Sequence, residues 1–183
     1  MTTSARRIAE IAGVETPWSL AVAQRLRGQG WRIAAGPAAG ASLLVWSAPP
    51  LAPDDALGPE AAAWDRTVEL SLKAPFHAVR AFAAGLGAAQ GDVVFLLDRD
   101  AWDPAPDGFS RSVATRTLWA LARGLAVSLG PSVRVNALGL PAAGRGLTEA
   151  LDRTLRYVLS ARAVTGQLVA IGEERPAPPV WGP

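Results

Sequence analysis

Short, continuous apolar runs alternate along this chain with longer stretches in which apolar residues recur every three or four positions. The runs are RIAEIA over 7–12, WRIAA from Trp31, ASLLVWSA from Ala41, DVVFLL from Asp92, SVRVNAL from Ser132 and QLVAI from Gln167. Runs of this length and continuity predict strands buried on both faces. The intervening stretches predict helices. PWSLAVAQRLRGQG places Leu20, Ala23 and Leu26 at helical spacing, with Pro17 suited to its first turn and Gly28 and Gly30 to its end. A long helix over 60–86 carries Val68, Leu72, Phe76, Val79, Ala83 and Leu86 on one face, bent at Pro75. A third covers 111–129, with a stripe of Leu118, Leu121, Ala122, Leu125, Ala126 and Leu129. GLTEALDRTLRYVLSA predicts the last helix, with Thr148 as a possible cap. PPLAPDDALGP is a loop.

Strands that alternate with helices and are apolar throughout predict a parallel sheet covered on both faces. The expected fold is α/β, a trimmed Rossmann-like doubly wound sheet of about six strands. One domain is expected over 1–173, followed by a proline-rich tail over 174–183, with Trp181 as its aromatic residue.

Composition narrows the chemistry. The chain has 183 residues, enough for one sizeable core. It has no cysteine and one histidine, His77, so thiolate and histidine-rich metal sites are excluded and no metal is expected. The net charge is +2, and the arginines are dispersed (Arg25, Arg66, Arg99, Arg123, Arg153), unlike a nucleic-acid footprint. No apolar run reaches the roughly 18–20 residues of a membrane span. The first residues show no secretion signal, so the expected location is the cytoplasm, with neither nucleic acid nor membrane as partner. His77 and Trp119 are expected in core or interface packing. Asp100, Asp103 and Asp107 read as a hydrated acidic loop, because the ligand spacing of a calcium loop is absent.

Three segments in order, ELSLKAPFHAVRAF, LARGLAVSLGPSVRVNAL and AVTGQLVAI, resemble the short-chain dehydrogenase/reductases. The LLD ending of DVVFLLD looks most like the pteridine-reductase branch. In active members of that family a Tyr-x-x-x-Lys pair opens the long helix. The resemblance puts the tyrosine position at Arg111, the lysine position at Thr115, the family's serine at Asp98 and its helix asparagine at Ser71. The single tyrosine, Tyr157, and the single lysine, Lys73, lie elsewhere and in the wrong order. Arginine stays protonated at ordinary pH, and threonine carries no charge to tune a neighbour.

The resemblance also implies Thr-Gly-x-x-x-Gly-x-Gly after the first strand. Here AGVETPWS keeps Gly13, while Pro17 and Ser19 stand at the later glycine positions, with Trp18 between them to fill the space of a dinucleotide. Those glycines let backbone N–H groups approach a pyrophosphate, whereas proline has none to offer. WSAP (46–49) stands for the family's Asn-Asn-Ala-Gly. The family's helix-strand-helix segment before ASLLVW and its substrate-covering loop after VNALGLP are reduced to a few residues.

These departures predict a catalytically inactive homologue, a structural or regulatory subunit in a homo-oligomer or with an active reductase paralogue. No cofactor is expected on that reading, and the stripes on 60–86 and 111–129 are expected to face a partner. The alternative is an NAD(P)H-dependent oxidoreductase, pteridine-reductase-like, with relocated chemistry at Asp98 and Arg111, using NADP or NAD. A third reading is a small-molecule binding module with its ligand in the emptied cleft.

Overall fold

The computed structural model describes residues 7–34, 40–48, 51, 54, 60–102, 107–141 and 147–172. Thirteen elements follow one another among the described residues. They are β1 (Ile8–Gly13), α1 (Pro17–Gly28), β2 (Arg32–Ala34), β3 (Leu43–Ser47), α2 (Ala61–Val68), a π-helical turn (Glu69–Lys73) and α3 (Ala74–Ala89). There follow β4 (Asp92–Asp98), a 3₁₀ turn (Arg99–Ala101), α4 (Phe109–Leu129), β5 (Arg134–Leu140), α5 (Leu147–Ser160) and β6 (Leu168–Ala170). Six strands form one sheet in the order β2-β1-β3-β4-β5-β6, and every pairing is parallel. The expected doubly wound α/β fold is therefore what the chain adopts.

The continuous apolar runs have their reason in this sheet. Alternate residues of each central strand feed two different core layers. Leu43, Val45, Val94, Leu96 and Leu138 join Val22 and Leu26 of α1 and Leu151, Leu155 and Val158 of α5 on one face. Leu44, Trp46, Val93, Phe95 and Leu97 join Val79 and Leu86 of α3 and Leu118, Ala122, Leu125 and Ala126 of α4 on the other. Each fully buried side chain of this size contributes about 1.5–3 kcal/mol.

β1 has β2 on one side and β3 on the other, so the chain reverses its direction of travel across the sheet there. Such a switch point opens a crevice at the C-terminal strand ends, the place where this class of fold holds its ligands.

The long helix departs from expectation. Ala74 donates its N–H to the Glu69 carbonyl, five residues back, at the wide turn that precedes Pro75. Pro75 has no N–H for the Ser71 carbonyl, and the wide turn accommodates that loss at the start of α3. The extra residue in the turn rotates the buried line onto Thr67, Ser71, Pro75, Val79 and Leu86. Leu72 and Phe76 are thereby turned outward, 40% and 41% exposed, and Val68 is only half-buried. In α1 the buried line is Ser19, Val22, Ala23 and Leu26, and Leu20 faces solvent.

The α4 stripe packs on the chain's own sheet, so it is not the partner-facing surface that was expected. His77 is exposed beside Phe76, edge-on at 5.7 Å, rather than in the core. Trp119 is half-buried against the α3/α4 layer with Arg123 over its ring. Trp18 packs against the α1/α5 layer. The side chain of Thr148, Asp103 and the tail with Trp181 lie outside the described residues.

Candidate functional site

The crevice is built from three strand ends and two helix starts. At its first wall β1 ends on Gly13 at φ +93°, a conformation that favours glycine. A Cβ there would stand 2.2 Å from the Ser47 carbonyl oxygen, so only glycine lets the chain turn this close to β3. Val14 then donates its N–H to that same oxygen at 3.0 Å, and α1 begins four residues beyond Gly13. Thr16 is the N-cap. Its Oγ1 accepts the Ser19 N–H at 3.1 Å, and Ser19 Oγ accepts the Thr16 N–H at 2.8 Å, a reciprocal capping box. Thr16 Oγ1 also meets Ser47 Oγ at 2.9 Å, and all three residues are buried.

The second wall joins β4 to α4. Asp98 ends β4, and one carboxylate oxygen, Oδ1, accepts the N–H groups of Asp100 and Ala101 at 3.0 and 3.3 Å. The other, Oδ2, accepts Arg111 Nη2 at 2.6 Å and Nε at 3.2 Å. One turn further along α4, Thr115 Oγ1 donates to the Asp98 carbonyl at 3.4 Å. The hydrogen bond donated to Asp98 pushes the Arg111 pKa further above its ordinary value, partial burial opposes this, and the charges of Asp98, Asp100 and Asp107 add to the rise. Arg111 is thus a permanent cation with its side chain 32% exposed, and its Nη1 group donates to none of the described residues.

Three of the four expected reaction-centre positions, Asp98, Arg111 and Thr115, therefore converge. Ser71 does not join them: its hydroxyl is buried and donates to the Thr67 carbonyl of its own helix at 2.6 Å. Two features were not legible in the sequence. Asp54, from the loop after β3, caps α4: its carboxylate accepts the Ser110 N–H at 2.9 Å and, through a short hydrogen bond, the Ser110 hydroxyl. Trp46, one residue before Ser47 and paired in register with Ala12 and Phe95, has a buried indole N–H without an acceptor among the described residues. A loop carboxylate 56 residues from its partner leaves no spacing signal, whereas the Trp46 position was visible only as the place of a different family motif.

The fold implies a dinucleotide, and the residues admit one with a restriction. The Gly13 turn keeps the chain close to Ser47 at the start of α1, where this class of fold places a pyrophosphate. In the first turn of α1, however, Pro17 has no N–H, Ser19 gives its own to Thr16, and Leu20 bonds the Thr16 carbonyl, which leaves the Trp18 N–H.

The family described as short chain dehydrogenase-like protein matches residues 67–171. Cis-2,3-dihydrobiphenyl-2,3-diol dehydrogenases of Paraburkholderia xenovorans and Pseudomonas putida are 35% identical over 78 residues, 43% of this chain and 28% of each relative. This chain thus aligns with under a third of the length of those relatives. Among solved structures, a short chain dehydrogenase/reductase family oxidoreductase of Brucella ovis, in complex with a partially ordered NAD, superposes with a TM-score of 0.76 at 20% identity, covering 91% of this chain and 100% of that one. FolM alternative dihydrofolate reductase 1 of Brucella suis, in complex with NADP, gives 0.76 at 23% identity over 90% and 93% of the two chains. These two likenesses show the fold.

The expectation of a catalytically inactive homologue is corrected by these findings. The relatives are named as dehydrogenases and reductases, and nothing in the chain positively marks an inactive protein. Physically, loss of the tyrosine and lysine removes one proton route, while the same place now holds a fixed cation and a carboxylate. The expectation of no cofactor likewise has no support, since structures of the same fold hold NAD and NADP. No described helix is long and apolar enough to cross a membrane. With more than half of its length matched by the family, this chain belongs to the short-chain dehydrogenase/reductases.

Proposed function

We propose that the chain is an NAD- or NADP-linked oxidoreductase whose reaction centre is the Asp98–Arg111 pair at the C-terminal edge of the sheet. The observation that carries this reading is a charged, partly open guanidinium whose Nη1 donates to none of the described residues, where the family places its proton-transfer residue. When bound, the dinucleotide supplies the hydride donor or acceptor. Gly13 and the Trp18 N–H would hold its pyrophosphate end.

Arg111 binds the reacting oxygen of the substrate through Nη1. As that oxygen gains negative charge during reduction, the fixed cation stabilises it, an effect typically worth about 10²–10³ in rate. Arg111 does not release a proton, so the proton that neutralises the oxygen comes from solvent at the open face of the pair. Asp98 is a positioning residue: Oδ2 aims the guanidinium while Oδ1 is fixed by the turn that follows β4. Thr115 ties α4 to the same turn.

The substrate class is a small molecule with a ring-borne hydroxyl, carbonyl or imine, of which cis-dihydrodiols and reduced pterins are the first to test. Cis-dihydrodiols are the class named in the relatives, and a pterin-type substrate is suggested by Asp98 at the end of β4. The outward-turned Leu72 and Phe76 favour a second copy of the chain as partner, checked by native mass measurement.

The test is NADH and NADPH binding, followed by turnover in wild type and Arg111→Met, with the reduced cofactor for carbonyl and imine substrates and the oxidised cofactor for dihydrodiols. Binding is expected, with hydride transfer that Arg111→Met slows by about 10²–10³. No dinucleotide affinity up to millimolar concentration would overturn the reading.

A further inference from the structure

A guanidinium holds its N–H bonds in one plane, in pairs that point the same way, so what Arg111 has engaged fixes what it can still offer. The edge formed by Nε and Nη2 is taken: both donate to Asp98 Oδ2, at 3.2 and 2.6 Å. The adjoining edge, formed by Nη1 and the second N–H of Nη2, has no acceptor among the described residues. That edge is a fork of parallel N–H bonds, the shape that takes a pair of neighbouring oxygens. Asp98 holds it in place, because Oδ1 is itself fixed by the Asp100 and Ala101 N–H groups at 3.0 and 3.3 Å. The charge of the fork is matched as well: Asp98 is in contact with it, and the carboxylates of Asp100 and Asp107 act on it too. The arginines on either side are turned to the protein, Arg99 to the Ile171 carbonyl at 3.0 Å and Arg116 to the Trp102 carbonyl at 2.8 Å. The fork therefore suits uncharged oxygens better than an anion.

We infer that the substrate carries a second, uncharged oxygen on the carbon next to the reacting one, as in a vicinal diol or an α-hydroxyketone, and that Arg111 grips both oxygens, the reacting one through Nη1 and its neighbour through Nη2. This rests on the oxidoreductase reading above and narrows its substrate class. In the reductive direction the carbonyl carbon receives the hydride, its oxygen takes a proton from solvent, and the dinucleotide is oxidised. The neighbouring oxygen is unchanged and serves to orient the substrate. It is held alike before and during the transfer, so its contribution falls on KM rather than on kcat. A lysine at this position presents a point charge without the fork. It can hold the reacting oxygen but cannot select for the second.

The experiment measures kcat and KM with NADH and NADPH for ketones of a single ring, cyclohexanone, 2-hydroxycyclohexanone and 4-hydroxycyclohexanone, in wild type, Arg111→Lys and Arg111→Met. Dinucleotide affinity is read by calorimetry on the same proteins. In wild type, 2-hydroxycyclohexanone is expected to exceed the other ketones in kcat/KM by on the order of tenfold, with the difference in KM, the factor that one further hydrogen bond to a charged group represents. The 4-hydroxy isomer has the same atoms and the wrong spacing, so it separates the fork from mere polarity. In Arg111→Lys and Arg111→Met the ketones are expected to converge at a lower rate. If one variant does not fold the other decides, and the wild-type ratio decides if neither turns over. Equal kcat/KM for all the ketones in wild type, a preference that survives in the variants, or dinucleotide binding without turnover of 2-hydroxycyclohexanone overturns this inference and leaves the oxidoreductase reading standing. Absence of dinucleotide binding up to millimolar concentration overturns both.

Discussion

Strand β4 carries an aspartate–arginine pair at each end, and both pairs close at 2.6 Å. At the N-terminal end, Asp92 and Arg134 have side chains 9% and 8% exposed, and at the C-terminal end Asp98 and Arg111 are 33% and 32% exposed. The difference lies less in the contact than in what each arginine has left. Arg134 gives Nη1 to the Val158 and Ala161 carbonyls and Nη2 to that of Leu159, so it closes the C-terminus of α5 as well as pairing with Asp92. Arg111 gives Nε and Nη2 to one oxygen of Asp98 and Nη1 to none of the described residues. The same two side chains make a structural clamp at one end of the strand and an open binding group at the other.

Breaking the clamp should have the largest effect. Arg134→Met leaves Asp92 buried without its partner and opens the end of α5, so a loss of about 3–5 kcal/mol in denaturant unfolding is expected. Arg111→Met should act on the other axis, with a stability change under about 1 kcal/mol because the pair is partly solvated. Its kcat/KM should fall by about 10²–10³.

The two pairs also differ in pH response. Burial raises the Asp92 carboxyl to a pKa of about 6, against the opposing pull of Arg134. Its unfolded value is about 3.9, so folding favours the protonated form. That contribution is fully present below about pH 4 and is lost as pH rises through about 6. Relative to Asp92→Asn, wild type should therefore lose on the order of 2–3 kcal/mol between about pH 4 and 7, read from denaturation midpoints at each pH. The smallest effect is expected for Asp98→Asn. Its amide oxygen can still receive Arg111, so stability should change by under about 0.5 kcal/mol. Activity should fall less than in Arg111→Met, as a steady-state assay would report.

The sequence already carried most of the architecture. Apolar runs such as LLV at 43–45 and VVFLL at 93–97 can be buried on both faces only in a covered parallel sheet, and the helices between them supply the cover. The spacing of Asp98 and Arg111 also survived into the site, because strand end and helix start are close in the chain. The register of the long helix is not legible in its periodicity: a uniform pattern of about 3.6 residues per turn puts Leu72 and Phe76 on the buried face, whereas the π-helical turn at Glu69–Lys73 inserts a residue and turns both outward. The Thr16–Ser19 box had a visible signature, a hydroxyl residue three positions before another, but those positions were weighed only as lost glycines. The Asp92–Arg134 clamp and the Asp54–Ser110 cap join residues far apart in the chain, and such pairs have no periodic signal.

The most direct test of the central claim is isotopic. Wild type and Arg111→Met would be given NADPH or NADH deuterated at the transferable position, with the carbonyl and imine members of the substrate panel, and the product read by mass spectrometry. The account predicts deuterium in the product of wild type and about 10²–10³-fold less in that of Arg111→Met over the same time. Deuterium transferred equally by both proteins, or by neither, would contradict it.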